Sequence, residues 1–357
     1  QDSRYFQVGG FLHRALFGKK SFLQNTYERI KPLVPVKNIF VITSGSQVAA
    51  IRKQLPEIPK DNVIGEPCGR DTCAAITLAT ALVGARSTTG VMAILPSDHL
   101  IPVKSEKKFQ KILEESCDLA ARGQAIITIG IKPTAPETGY GYIQMGDRLP
   151  ALKDRKAYKS AFHVAQRFTE KPHFDKAVHF LSRGDYRWNA GMFVFSFATI
   201  IESLLKHQKQ LHESCERWFQ LANTPVKLKR ALAKDYPDLK KVSFDYGVME
   251  HAQNVLVADG DFEWDDLGAW PAMARHLESD PEGNCFEADF IHVDAARNVI
   301  FDTRAKQKRT TIAVVGLRDC VIVQTDDTTL VAHKRQAQKV RELVSKLAAS
   351  QAHKRLI

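Results

Sequence analysis

Cysteine is scarce in this chain and follows no pattern. Cys68, Cys73, Cys117, Cys215, Cys285 and Cys320 are its six cysteines, scattered with no C-x-x-C pair. That excludes a disulfide framework and a cysteine zinc site, and reduced thiols are expected. Long apolar runs are also lacking. The longest, Thr72 to Ala85, is interrupted by Thr77, Thr80 and Gly84 and falls short of the roughly 20 residues that cross a bilayer. No membrane span is expected. No charged head followed by an apolar stretch opens the chain, so a secretory leader is not expected and the cytoplasm is the expected compartment. Repeats and low-complexity segments are absent as well.

Negative charge is in short supply, but only locally. The formal net charge is +11, which raises the question of nucleic-acid binding. Residues 1–60 hold 10 Lys and Arg against 3 Asp and Glu, and residues 333–357 hold 7 against 1, so the body between them is close to neutral. With no basic stripe interleaved with aromatics, a polynucleotide partner is not expected. A basic pocket edge for nucleotide phosphates is the more economical use of some of this charge.

What is present reads as an ordinary globular chain of 357 residues, 44% apolar and 25% charged, long enough for a large domain and a smaller one. Short β-branched apolar runs at Asn38–Thr43, Val91–Leu95, Ala125–Ile131 and Met192–Ser196 read as buried strands. Helix-length segments lie between them at Asp71–Val83, Glu106–Arg122 and Phe174–Arg183. Strands alternating with helices predict an α/β fold with a largely parallel sheet. After about residue 272 the pattern changes to short strands at 298–301, 311–315, 321–324 and 328–332, which predicts a small β domain. Val340, Leu343, Val344 and Leu347 then mark one face of a final amphipathic helix.

Several segments carry chemistry-bearing residues. In Gly65–Leu78 (GEPCGRDTCAAITL), a turn with capping residues opens a small-residue helix whose first backbone N–H groups are free to face an anion or a base edge. Asp98, in LPSDHL directly after a buried strand, is a candidate Mg²⁺ ligand in the crevice where open α/β sheets bind ligands. The bland alternative is a turn aspartate. His99 reads as structural. Gly139–Ile143 (GYGYI) allows close backbone approach, FTEKP puts Glu170 beside Lys171, and WNAGMF joins Asn189 to a tight turn at Gly191. Phe262–Trp270 (FEWDDLGAW) packs three carboxylates between two indoles. Asp265 and Asp266 should point apart, leaving one of them to meet Asp98 across the crevice.

Taken in order, EPCGRDTCAAI, LPSDHLI, TGYGYIQ, FTEKP, WNAGMFVF, FDYGVME and FEWDDLGAW resemble the motifs of the sugar-nucleotide pyrophosphorylases, specifically the short, single-activity bacterial mannose-1-phosphate guanylyltransferases. The likeness runs from about Phe17 to the C-terminus. It implies an α/β chain with a Rossmann-like nucleotidyltransferase domain of mixed, mostly parallel sheet over residues 1–272. A small β-helix-like domain over 273–332 and a terminal amphipathic helix and tail over 333–357 would follow. It also implies the reaction GTP plus mannose 1-phosphate giving GDP-mannose and pyrophosphate, with Mg²⁺ on Asp98 and Asp266. Glu66, Arg70, Asp71, Thr72 and Ser97 fall on the nucleotide side. Gly139, Tyr140, Gly141, Glu170, Asn189 and Gly191 fall on the sugar side, with Lys171 on the sugar phosphate. A homodimer is compatible with the resemblance, and no following isomerase domain is expected.

The front departs from the family pattern. Where the family has G-G-x-G-T-R-L-W-P-L-S-R, Gly9, Gly10 and Arg14 align only if Phe11, Leu12 and His13 stand in place of small residues. Slow turnover, or a non-catalytic sugar-nucleotide-binding or regulatory homologue, is the alternative expectation.

Overall fold

The computed structural model describes residues 20–150, 158–267, 272 and 274–350. Gly9, Gly10, Arg14 and residues 351–357 of the expected tail lie outside the described residues. In chain order the larger elements are α1 (Phe22–Ile30), β1 (Val41–Ser44), α2 (Val48–Gln54), β2 (Val63–Glu66), α3 (Asp71–Gly84), β3 (Val91–Ile94), α4 (Val103–Arg122), β4 (Ile126–Ile131), β5 (Tyr142–Arg148), β6 (Phe162–Thr169), α5 (Phe174–Arg183) and β7 (Tyr186–Ser196). Then come α6 (Phe197–His207), α7 (Lys209–Leu221), α8 (Pro225–Asp235), a π-helical turn (Asp245–Met249) and β8 (Val255–Gly260). The chain continues through β9 (Cys285–Glu287), β10 (Phe290–Val293), β11 (Val299–Asp302), β12 (Ile312–Val315), β13 (Cys320–Gln324), β14 (Thr329–His333) and α9 (Val340–Ala349).

Two compact units result. The first holds residues 24–97 and 101–264; the second holds 98–100 and everything from Asp265 onward. The second unit takes up the chain at Asp265, whose backbone pairs with Leu100 of the same unit.

In the first unit, six strands order as β3-β7-β4-β8-β6-β5, and β1 pairs with β2 in a separate parallel ribbon. The large sheet is mixed, with β4–β8 its one parallel pairing among the described residues; β7 runs antiparallel to β3, β4 and β5. The parallel share is smaller than the alternation of strands and helices suggested, since β5, β6 and the long β7 enter without a crossover helix between every pair. Both faces are covered. Ile126, Phe193 and Phe195 pack among Cys73, Leu78, Leu204 and Trp218 on one side, while Ile127, Ile129 and Val194 pack with Phe109, Ile112 and Leu113 of α4 on the other. All six residues of β4 are buried, which explains its unbroken apolar run. Helix α3 is buried nearly all round, and its Thr77 and Thr80 hydroxyls donate to the carbonyls four residues back, so both fit an apolar setting.

The second unit is a parallel coil. β9, β11 and β13 stack in register, β10 pairs with β12, and β14 closes the larger stack antiparallel. Ile300 and Ile322 pack with Phe290, Ile312 and Val314 between the two stacks, while Val299, Phe301, Val321 and Val323 face Leu100 and Leu267 on the other side. A buried asparagine ladder ties one turn to the next. Asn284 Oδ1 accepts from Asn298 N and Nδ2 (both 3.0 Å), Asn298 Nδ2 also donates to Leu317 O (2.9 Å), and Asn298 Oδ1 accepts from Cys320 N (2.9 Å). Asn298→Ala takes the side-chain acceptor from Cys320 N and one of two donors from each of Asn284 Oδ1 and Leu317 O in an apolar interior. It is expected to cost about 3 kcal/mol of stability, read as a fall in denaturation midpoint. A loss of under about 0.5 kcal/mol would show that the ladder is dispensable.

Candidate functional site

The sequence-predicted nucleotide residues cluster where β2 runs into α3. Glu66 ends β2, partly buried, and its Oε1 has no hydrogen-bond partner among the described residues. Burial pushes its carboxyl up to about 7, against the opposing effect of the Tyr236 hydroxyl. Asp71 opens α3 at φ +67°, a left-handed conformation uncommon outside glycine, and its Oδ1 accepts from Thr72 N (2.8 Å). Thr72 Oγ1 accepts from Phe244 N (2.8 Å), and Cys73 N donates to Val242 O (3.2 Å). The amides of Thr72 and Cys73, expected to face a ligand, are thus spent inside the protein, lashing the start of α3 to the 242–244 segment. Arg70 is likewise engaged: its Nε donates to Tyr236 O (2.9 Å), and its Nη1 and Nη2 lie on Gly69 O and Pro237 O. That geometry gives Arg70 a structural task. Ser97 is exposed.

The carboxylate pair belongs to the second unit. Leu100 and Asp265 face each other in an antiparallel bridge, Leu100 N to Asp265 O at 2.8 Å and Asp265 N to Leu100 O at 3.0 Å. Leu100 and Leu267 are anchored in the same apolar cluster as Val299 and Phe301. Between these anchors, Asp98 and Asp266 are close enough to feel each other. Burial, and then the Asp266 charge, push the Asp98 carboxyl up to about 6. His99 Nε2 stands 4.0 Å from Asp98 Oδ1. Asp265 turns away from this pair, as the sequence suggested. Its carboxylate takes a two-pronged contact from Arg275 (2.9 Å each), one from His276 Nε2 (3.0 Å) and one from Leu267 N (3.0 Å). Burial alone would raise its pKa, but the His276 and Arg275 bonds outweigh that and hold it below the ordinary carboxylate range. Leu267 sits at φ +46°, a rare conformation for a bulky side chain that marks an over-determined segment.

Two carboxylates with hard oxygen donors suit a hard divalent cation, and the Asp98 carboxyl is raised first by burial and then by the Asp266 charge. Among the described residues, Asp280, Glu282 and His292 also bring ligand atoms within 4.8 Å of one another. There, however, Asp280 is taken up by Asn284 N (2.7 Å) and Nδ2 (2.9 Å), closing a turn of the coil.

The sugar-side residues converge in the first unit. Glu170 is almost fully buried and pairs with the Lys171 ammonium (2.9 Å), which is half exposed. Lys171 sits at φ +44°, and its N donates to Tyr140 O (3.2 Å). A Cβ on Gly141 would lie 2.5 Å from Glu170 Oε2 and 3.3 Å from Asn189 Cβ, so glycine alone fits. Gly141 O accepts from Asn189 N (2.8 Å). Gly191, at φ +65°, lets β7 bulge: Thr128 pairs with Phe193 but Gly130 with Asn189, so two extra residues of β7 are accommodated and Asn189 is re-aimed. Tyr140 packs edge-on against Trp188 and Trp264.

Sequence reasoning missed one member. Asp245, in the π-helical turn, takes the Asn189 Nδ2 donor at 2.7 Å. Burial and then the Glu170 charge push its carboxyl well above the ordinary range, with the Lys171 ammonium opposing. FDYGVME was noticed as a segment, but an aspartate beside a tyrosine carries no signal of its own. The π-turn, a geometry frequent at functional sites, shows only in the fold.

Comparison with known proteins agrees with this geometry. The Nucleotidyl transferase family matches residues 14–282, and the MannoseP isomerase/GMP-like beta-helix domain matches residues 288–347. The chain is 33% identical to the mannose-1-phosphate guanylyltransferase RfbM of Salmonella typhimurium, over 97% of this chain and 69% of that protein. It is 32% identical to the xanthan biosynthesis protein XanB of Xanthomonas campestris, over 94% of this chain and 68% of the relative. Among solved structures, the mannose-1-phosphate geranyltransferase of Thermus thermophilus superposes with a TM-score of 0.75 at 31% identity, covering 92% of this chain and 90% of that one. A nucleotidyl transferase domain followed by a β-helix domain, in the right order and over most of the length, makes this chain a member of the nucleotidyl transferase family that includes the mannose-1-phosphate guanylyltransferases.

Proposed function

We propose that the chain is a mannose-1-phosphate guanylyltransferase of the cytoplasm, forming GDP-mannose and pyrophosphate from GTP and mannose 1-phosphate. The observation that supports this best is the sugar-side cluster. A buried carboxylate, a half-exposed ammonium beside it and a fixed amide are the groups a phosphorylated sugar needs: acceptors and a donor for hydroxyls, and a cation for the phosphate.

In this reading a phosphate oxygen of mannose 1-phosphate attacks the α-phosphorus of GTP. The bond to the β-phosphate bridging oxygen breaks in line, and pyrophosphate departs with the electron pair. No covalent enzyme intermediate is needed, so the protein contributes alignment and charge neutralisation. Asp98 and Asp266 would hold Mg²⁺, which supplies charge neutralisation at the reacting phosphates. Lys171 binds the sugar phosphate; Glu170, Asn189 and the Gly139–Gly141 turn with Tyr140 meet sugar hydroxyls. Glu66, Asp71 and Thr72 shape the nucleotide side. Glu66 near neutrality can offer a protonated carboxyl to a base edge where an ionised one could only accept.

The deciding assay is pyrophosphate release by the full chain with GTP, mannose 1-phosphate and Mg²⁺. Turnover is expected, and Asp266→Asn should lower it by at least about a hundredfold. A parent chain that binds GDP-mannose yet releases no pyrophosphate would instead favour the regulatory homologue.

Lys171→Ala should weaken mannose 1-phosphate binding by about 1.5–3 kcal/mol in calorimetry. Unchanged affinity removes Lys171 from the site.

Glu66 gives a pH signature. Its folded pKa of about 7 is raised, so its contribution to stability is complete below the unfolded value and is lost as pH rises through about 7. Glu66→Gln removes this loss. The melting temperature of the variant relative to the parent should therefore climb between about pH 5 and pH 8, by on the order of 2 °C. A constant difference across that range would show that Glu66 ionises as freely as in water.

A further inference from the structure

Asn189 has four hydrogen-bonding valences: two acceptor positions on Oδ1 and two N–H groups on Nδ2. In this fold three are committed. Oδ1 receives Gly191 N (3.1 Å) and lies 2.9 Å from Thr128 Oγ1; Nδ2 donates one hydrogen to Asp245 Oδ1 (2.7 Å). Gly191 N can only donate and, facing Glu170, Asp245 offers Asn189 an acceptor, so the amide cannot be turned over without losing bonds at both ends. Thr128 is fully buried and Asn189 nearly so. Asp245 is in turn fixed by its place in the π-helical turn, whose preceding residue Phe244 is buried and bonded through its N to Thr72 Oγ1.

We infer that Asp245 is a positioning residue that makes Asn189 a one-donor reader of the sugar. The amide presents a single N–H, and therefore selects the one hydroxyl whose oxygen can accept it. This rests on the function proposed above. Asn189, through its Cβ, and Glu170, through Oε2, both pack against the Gly141 turn. The hydroxyl that fits is one that accepts from Asn189 and donates its own proton to the Glu170 carboxylate, two bonds that a deoxy analogue loses together. The groups facing Asp245 are Glu170, Lys171, Tyr246 and Cys73, of which Glu170 is the other acceptor and already takes the Lys171 ammonium. Without Asp245 the Nδ2 hydrogen it holds is released, and only the Gly191 and Thr128 bonds to Oδ1 remain to set the amide.

The test is calorimetric binding of mannose 1-phosphate and its 2-, 3-, 4- and 6-deoxy analogues to the full chain. In the parent, one analogue is expected to bind about tenfold more weakly than mannose 1-phosphate. In Asp245→Ala, mannose 1-phosphate itself should weaken about tenfold, and that analogue should become equal to it within about twofold. Asp245→Asn, which keeps an acceptor oxygen in place, should restore the parental pattern. A merely structural role would weaken all five ligands alike. That outcome, or a parental pattern in Asp245→Ala, overturns the inference while leaving the proposed function intact. A parent that binds none of the five overturns both. If the alanine variant does not fold, Thr128→Val, which removes one pin on Oδ1 at constant volume, must reduce the same analogue's discrimination by at least about twofold; an unchanged panel there overturns the inference.

Discussion

Two carboxylates placed close together repel, and something other than their own chemistry must hold them there. In the second unit that role falls to one pair of backbone hydrogen bonds. The Leu100–Asp265 bridge joins segments 165 positions apart in the chain and seats Leu100 and Leu267 in one apolar cluster. Asp98 and Asp266 flank it on either strand. Asp265 adds a second restraint, because its own carboxylate is tied to Arg275 and His276 and to the Leu267 amide, which fixes the segment that carries Asp266. Burial and the Asp266 charge both raise the Asp98 carboxyl, and two such hard oxygen donors suit a divalent cation.

The sugar-side cluster answers a related constraint in the first unit. Glu170 and Asp245 again bring like charges together, but here one ammonium and one amide lie within reach. Each of the unusual backbone angles at Asp71, Lys171 and Leu267 falls in a segment that carries a chemistry-bearing side chain. Strain of this kind persists only where surrounding contacts dictate the conformation. Lys171 is held by its bond to Tyr140 O, Asp71 by its own contact to Thr72, and Leu267 by the apolar cluster and its bond to Asp265.

Much of this was legible before any coordinates. Strands β3 and β4, helices α3 and α5 and the coil strands β11 to β14 fall within a few residues of their expected positions, because apolar runs bounded by turn residues mark strands, although β3, read as buried, is only partly so. Strands β2, β5, β6, β8, β9 and β10 were not anticipated. In β6 exposed and buried positions alternate irregularly, and β5 is paired through two register shifts, so neither shows clean period-two patterning. Of the site, glycines and carboxylates in short motifs were visible. The commitments of Arg70 to Tyr236 and Pro237, and of Asn189 to Asp245, were not, since each joins residues far apart in sequence. Side-chain types announce what a residue can bind; which partner uses it up is decided by topology.

The parallel coil of the second unit has a further consequence. Stacked turns in register expose at each end a row of unpaired peptide groups, the same template that would accept one more turn from this chain or from another. At one end β14 reverses direction, pairing antiparallel with β13 from Cys320↔His333 to Gln324↔Thr329. That pairing takes up the edge of β13 on which the next parallel turn would otherwise be laid. Lys334 and Arg335 follow directly and put positive charge at that end. The reversal thus acts as a terminator: it fixes the length of the coil and keeps a stack that is built to be extended from growing into a fibre.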